Sequence, residues 1–518
     1  MDAQKVVDRS SAMKPLSILA VVIMLAGFLH PAMAQPLSAG PVDNPDFAAI
    51  DRYVEDQMAD CRIPGFSLGI VRGNDVLYTK GYGTADEADR PVTPQTPFII
   101  ASVSKTFTAL ALMQLKEDGK VDLDMPVSHY LPDLNTEHGI TEEMTVRQLL
   151  NHTAGLAPQL EFRVTSPEGN GESIADLVRK FGNYPLSHAP GARFEYNNAG
   201  YIVLGEVISQ VSGLSYEQYM QQRIFDPLEM RHSFTSADRA TEDGLAIGYR
   251  TIFGYPRVSG LTYVEGYLPA FGIMSSAEDL AHYMIALLNG GLYKATRILS
   301  EGGVSEMLTP SASVSPFIDY GLGWYVTSGS FYHGGELTDY QAKVKVLPED
   351  ELGVVLLYNT SSSMAATVFG VGYREKIETG IINILYGVSP TDQPGQSLFN
   401  LNSHPMALTY LLMLVVPLLA VALLVWSALR LRTLPERLEK SRFDFWSNLI
   451  LSALLFVLLP LYILITVPKR GVSWPHVLHY RPDVGWSALI LSVLLIVLGV
   501  CRGVIVAVFL KNHRYPEY

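Results

Sequence analysis

Apolar residues are unevenly placed along this chain: four long apolar runs lie at its two ends, flanking residues 35–400. That layout divides the chain into a leader, a folded middle and a membrane-directed tail before any motif is read. The first run, 16–29, follows Lys14 and precedes Pro31-Ala32-Met33-Ala34-Gln35. A basic flank, a short apolar core and an Ala-x-Ala site form the pattern of a secretory signal peptide, cut after Ala34. The run is also short for a membrane span. The other three runs cover 406–428, 449–467 and 486–510, each near the ~20 residues that cross a bilayer. Pro417 and Pro460 interrupt the first two, which membrane helices tolerate. Arg502 in the third either ends it early or reaches toward the cytoplasmic headgroups.

The segment 430–442 holds Arg430, Arg432, Arg437, Lys440 and Arg442, whereas 468–485 holds Lys469, Arg470 and Arg481. The richer loop is expected in the cytoplasm, which is also the topology that export by the signal peptide requires. The expected organisation is therefore a signal peptide over 1–34, an extracytoplasmic domain over 35–400 and a membrane domain of three transmembrane helices over 401–518. The protein is placed in the inner (cytoplasmic) membrane as a multi-pass chain, its folded domain facing the periplasm or exterior.

Residues 35–400 carry 24 Lys+Arg against 44 Asp+Glu, a net of −20, and residues from 401 onward carry 11 basic against 5 acidic, a net of +6. So acidic a domain argues against nucleic acid or anionic polymers as partners. Of the two cysteines, Cys61 is in the exported part and Cys501 lies in or near a span, so a disulfide between them is implausible. The sequence shows no metal cluster, phosphate loop or cofactor signature, and it leaves the oligomeric state open.

Within the domain, "FSLGIVRGNDVLYTKGYG" (66–83) alternates around Gly73-Asn74-Asp75, a hairpin pattern. Helices are expected at 102–116, 173–182, 198–212, 215–224, 276–289 and 365–385. Strands are expected at 321–336, 339–349 and 352–359. Early and late strands around a helix-rich middle suggest one antiparallel sheet built from both chain ends, with helices against it.

In "IIASVSKTFTAL" (99–110), Ser102 precedes Lys105 by three residues in an otherwise apolar stretch. Positions i and i+3 share a helix face. A serine hydroxyl is a weak nucleophile until a neighbour takes its proton, and an amine held beside it in an apolar setting can do so. The S-x-x-K pattern is weak by itself: Ser11-Ala12-Met13-Lys14 repeats it inside the leader. Its company is what carries weight. "LLNHTAGL" (149–156), "PGARFEYNNAGYIVLGEVISQVSG" (190–213), "FGIMSSAEDLAHYM" (271–284), "YGLGW" (320–324) and "YHGGELTDYQAKVKVLPEDELGVVLLYN" (332–359) follow in that order.

Together these segments resemble the serine beta-lactamase / DD-peptidase superfamily, in the branch of class C beta-lactamases, D-aminopeptidases and related esterases. The resemblance implies an α/β (α+β) fold, an antiparallel sheet flanked by helices plus a helical subdomain. It implies that Ser102 is the nucleophile and that Lys105 with Tyr196 moves its proton, the pair titrating together. It assigns Asn198 to orienting Lys105 or holding the substrate, and His333 and Gly335 to the third motif on the strand lining the site. The backbone N–H groups of Ser102 and Glu336 would then form the oxyanion hole, each such donor being worth ~3–4 kcal/mol of barrier. His152 tempts as a base, but the resemblance makes its segment structural.

His333 stands where many members have lysine, which removes fixed positive charge for a substrate carboxylate, and Glu336 adds negative charge nearby. The expected function is a serine hydrolase cleaving an amide or ester of a D-amino-acid-containing small peptide. The tail resembles that of prodrug-activating peptidases, which remove an N-acyl-D-amino-acid cap from a nonribosomal peptide. A DD-carboxypeptidase or beta-lactamase-like enzyme and a non-catalytic penicillin-binding sensor are the remaining alternatives.

Overall fold

A computed structural model describes residues 40–132, 144–157, 160, 172–181, 186–252, 255–259, 265–361 and 373–390, with scattered helical positions between 461 and 500. The expected signal peptide lies outside the described residues, as do the spans at 406–428 and 449–467 but for two positions. Among the described residues no helix is long and apolar enough to cross a membrane.

An eight-stranded sheet organises the domain. Its strands are β1 (Gly65–Arg72), β2 (Asp75–Gly83), β3 (Ala312–Ser315), β4 (Ile318–Tyr320), β5 (Tyr325–Val326), β6 (Phe331–Glu336), β7 (Gln341–Leu347) and β8 (Leu352–Tyr358). They lie in the order β2-β1-β8-β7-β6-β5-β4-β3, every neighbouring pair antiparallel. The centre joins β1 to β8 with Phe66 opposite Tyr358 and Arg72 opposite Leu352, so both ends of the domain build one sheet as the sequence suggests. Gly73, at φ 55°, turns the first hairpin, a left-handed conformation that favours glycine. The expected strand at 321–336 is two, β5 and β6, joined by a turn in which Thr327 and Ser330 exchange hydrogen bonds.

Five helices matter for the site: α1 (Phe47–Cys61), α2 (Ser104–Glu117), α3 (Asn198–Ser212), α4 (Ala277–Leu288) and α5 (Tyr373–Leu385). Side chains alternate across a strand, and the sheet is covered on both faces. On one, Ile50 and Val54 of α1 and Ile377 and Ile381 of α5 bury Phe66, Leu68, Ile70, Val354 and Leu356. On the other, Leu280 and Met284 of α4 and the helical region behind them cover Val344, Val346, Val355 and Leu357. A Cβ at Gly69 would sit 3.0 Å from the Ala277 carbonyl, so glycine there lets α4 lie close on the sheet. Helix α1 has no counterpart in the sequence reading, although Asp46 caps it and Ile50, Tyr53, Val54 and Met58 repeat at helical spacing. The domain's two described ends meet where the Val42 N–H donates to the Leu385 carbonyl at 2.9 Å.

Candidate active site

Ser102 is in a 3-10 turn, Ala101–Val103, that leads directly into α2. The turn is held in the groove between sheet and helices. A Cβ on Gly335 of β6 would lie 2.1 Å from the Ile100 carbonyl, so only glycine lets that strand approach the turn this closely. Ala101, just before the serine, has φ 48°, a costly left-handed conformation for a residue with a side chain.

Lys105 is fully buried. Its Nζ lies 3.1 Å from Ser102 Oγ and 2.8 Å from the Ala270 carbonyl, and it also bonds Asn198 Oδ1. Two of these three partners are carbonyl oxygens that can only accept, so two N–H donors are committed to them. The third partner is a hydroxyl. In the ammonium form Lys105 donates to Ser102; in the amine form its lone pair accepts the serine proton. The same three contacts satisfy both forms, which is the arrangement a base needs if it is to take and return one proton without rearranging.

Asn197, not Asn198, caps the helix: its side chain accepts from the Ala199 N–H at 2.9 Å. Tyr196 presents its ring with the centroid 4.9 Å from Lys105 Nζ. The structure thus brings Ser102, Lys105, Tyr196 and Asn198, drawn from segments 93 residues apart, to one point.

His333 is brought close but faces inward. Its Nδ1 is 2.8 Å from the Gly334 carbonyl and its Nε2 3.1 Å from the Tyr320 hydroxyl. A carbonyl cannot donate, so Nδ1 carries the proton and Nε2 accepts from Tyr320. Burial, with the charge of Lys105 second, pushes the His333 imidazole down to about 3, so the ring is neutral. It therefore offers no cation and no unengaged nitrogen to a substrate carboxylate. Glu336 departs from the sequence reading. Its backbone is beside the site, but its side chain shares the sheet face of Gly334, where Arg374 of α5 lies. Its carboxylate accepts from Ser361 Oγ at 3.4 Å. The charge at 336 is thus directed to Arg374, away from Ser102.

Sequence reasoning missed three parts of the site. The Ala270 carbonyl comes from a π-helical turn, Leu268–Gly272, and a main-chain acceptor leaves no side-chain signature. Tyr320 and Tyr201 wall the site; Tyr320 lies in the quoted "YGLGW" segment, and Tyr201 donates to the Leu150 carbonyl at 2.6 Å. Burial raises both phenols, so they stay neutral. No group of three or more metal-ligating side chains occurs among the described residues.

Residues 50–370 match the sequence model of the Beta-lactamase family. Protein flp of Staphylococcus aureus (strain MW2) is 30% identical over 341 residues, covering 64% of this chain and 66% of that protein. Its counterpart in strain MRSA252 is 29% identical over 441 residues, covering 84% of this chain and 85% of that one. PbpX of Bacillus subtilis (strain 168), which bears a penicillin-binding protein name, is 30% identical over 57% of this chain and 70% of its own length. Among solved structures, the octameric penicillin-binding protein homologue from Pyrococcus abyssi is similar, with a TM-score of 0.58 and 28% identity. It covers 67% of this chain and 79% of its own.

Proposed function

This chain belongs to the beta-lactamase family, within the serine beta-lactamase / DD-peptidase superfamily, and from that premise we propose that it is an acyl-enzyme serine hydrolase. The observation that carries the reading is the 3.1 Å contact between Lys105 Nζ and Ser102 Oγ, completed by Asn198 and the Ala270 carbonyl. Ser102 Oγ attacks the substrate carbonyl carbon while its proton passes to the Lys105 amine. The oxyanion is held by the N–H groups of Ser102 and Glu336. The C–N or C–O bond then breaks, and the leaving atom takes the proton back through Lys105 and Tyr196. Water repeats the sequence on the resulting ester, releasing the acid and regenerating Ser102.

The substrate we propose is an amide or ester of a D-amino-acid-containing peptide. The neutral, inward-facing His333 favours substrates that need no carboxylate anchor on β6: D-aminoacyl amides and esters, or a peptide bearing an N-acyl-D-amino-acid cap, over D-Ala-D-Ala peptides and penicillins. We place the domain outside the cytoplasmic membrane, anchored by the tail. One finding supports this: the described helical positions at 486–500 expose Trp486, Ile490, Val493, Leu494, Val497 and Val500.

The test is a fluorescent serine-directed probe applied to membranes carrying the full chain. Wild type is expected to label and then lose label by turnover, and Ser102→Ala to take none. Equal labelling of both sinks the assignment of Ser102, and label that never turns over replaces the hydrolase with a sensor.

A further inference from the structure

The buried histidine beside the site, His152, takes no part in the proton transfers above, yet its contacts converge on Tyr196. Its carbonyl accepts the Glu195 N–H at 2.7 Å, and its ring Nδ1 accepts the Asn197 N–H at 3.2 Å. The two backbone amides flanking Tyr196 are therefore both held by this one residue. Its ring also packs on the Tyr196 ring, with centroids 4.3 Å apart, and is enclosed by Tyr201, Tyr320 and Phe194.

We infer that His152 is the positioning residue of the Tyr196–Asn198 segment: acting as a hydrogen-bond acceptor and packing surface, it sets where Tyr196 and Asn198 meet Lys105. It is not a base. A nitrogen that accepts an N–H carries no proton, so the hydrogen sits on Nε2. Nε2 is buried and has no hydrogen-bond partner among the described residues, so no path leads from it to Ser102. Leaving such a donor unsatisfied is costly, which fits a ring retained for what its other nitrogen holds. Burial, with Lys105 second and His333 third, lowers the His152 imidazole well below its ordinary value and keeps Nδ1 able to accept. The residue also adopts φ 60°, an uncommon conformation for which asparagine is a good substitute.

The inference rests on the serine-hydrolase reading, and its test separates the two. His152→Asn keeps an acceptor at the δ position; His152→Gln moves it to ε, and His152→Leu removes it. In the full chain, acylation by the serine probe is expected within about fivefold of wild type for Asn and reduced about a hundredfold for Gln and Leu, with probe affinity unchanged. If one of the last two does not fold, the other decides. The inference is overturned if the folded variants all label at the wild-type rate, or if Asn falls as far as the rest. If wild type takes no label, the hydrolase reading fails. The positioning role is then read from hydrogen exchange at Asn197, whose N–H the ring accepts: protection retained in Asn and lost in Gln or Leu upholds it, and equal protection in all overturns it.

Discussion

Asn198 Oδ1 is among the oxygens bonded to Lys105, and it can be changed without altering shape. Asn198→Asp places a carboxylate where an amide oxygen now accepts from Nζ. An opposite charge at that distance holds an amine protonated, typically by one to three pKa units. A protonated Lys105 cannot take the Ser102 proton, so the acid limb of the acylation profile is expected to move to higher pH by about one unit or more. An unmoved limb, read by probe labelling across pH, would mean that Lys105 is not the base. At this scale the sequence was most informative where chemistry resides in side chains at fixed spacing: Ser102 and Lys105 one turn apart, Tyr196 and Asn198 two residues apart. It was silent on the Ala270 carbonyl, and it could not foresee that Glu336 turns toward Arg374, because the face a strand residue takes depends on register.

Elements bring those residues together through close backbone approaches, and β6 against the serine-bearing turn is the tightest of them. Gly335→Ala would set a Cβ 2.1 Å from the Ile100 carbonyl, forcing strand and turn apart. Because that approach also sets the strand ending in Glu336 against the turn that holds Ser102, acylation is expected to drop at least about a hundredfold. Gly329→Ala, in the turn before the same strand, meets nothing within 4 Å and is the control expected to behave as wild type. Comparable labelling by the two variants would remove β6 from the site. Long periodic elements such as α3 and α4 and the pair β7 and β8 were legible from their patterns. The short strands β3 and β4 were not, since three or four residues carry too little alternation. Nor was the shift of Ser102 from the first α-turn into a 3-10 turn, which packing against β6 decides.

Across the whole domain, buried titratable groups pull stability in opposite directions with pH. His333 is held near 3, against 6.5 for an unburied imidazole. Below 6.5 the unfolded chain takes up a proton that the native ring refuses, and stability falls by about 1.4 kcal/mol per pH unit until about 3. Burial raises Asp339 and Asp279 from 3.8 to about 6. Between those values the native protein keeps protons that the unfolded chain has released, so each carboxyl stabilises increasingly as pH falls from 6 toward 3.8. Asp339→Asn removes one of these counterweights. Its unfolding free energy, read from denaturant titrations, is expected to fall more steeply than that of wild type between pH 6 and 4, by up to about 1.4 kcal/mol per unit; parallel curves would refute the offset. The sequence placed these residues in a folded domain, but their burial follows from tertiary packing that no local pattern encodes.

Val42 bonded to Leu385 has a topological meaning of its own. Entrance and exit share one spot, so the fold is nearly a closed circuit that happens to be open there. Splicing the two together and cutting the chain at an outlying bend such as Gly213, where a side chain would meet nothing within 4 Å, is expected to yield a circular permutant with the same architecture.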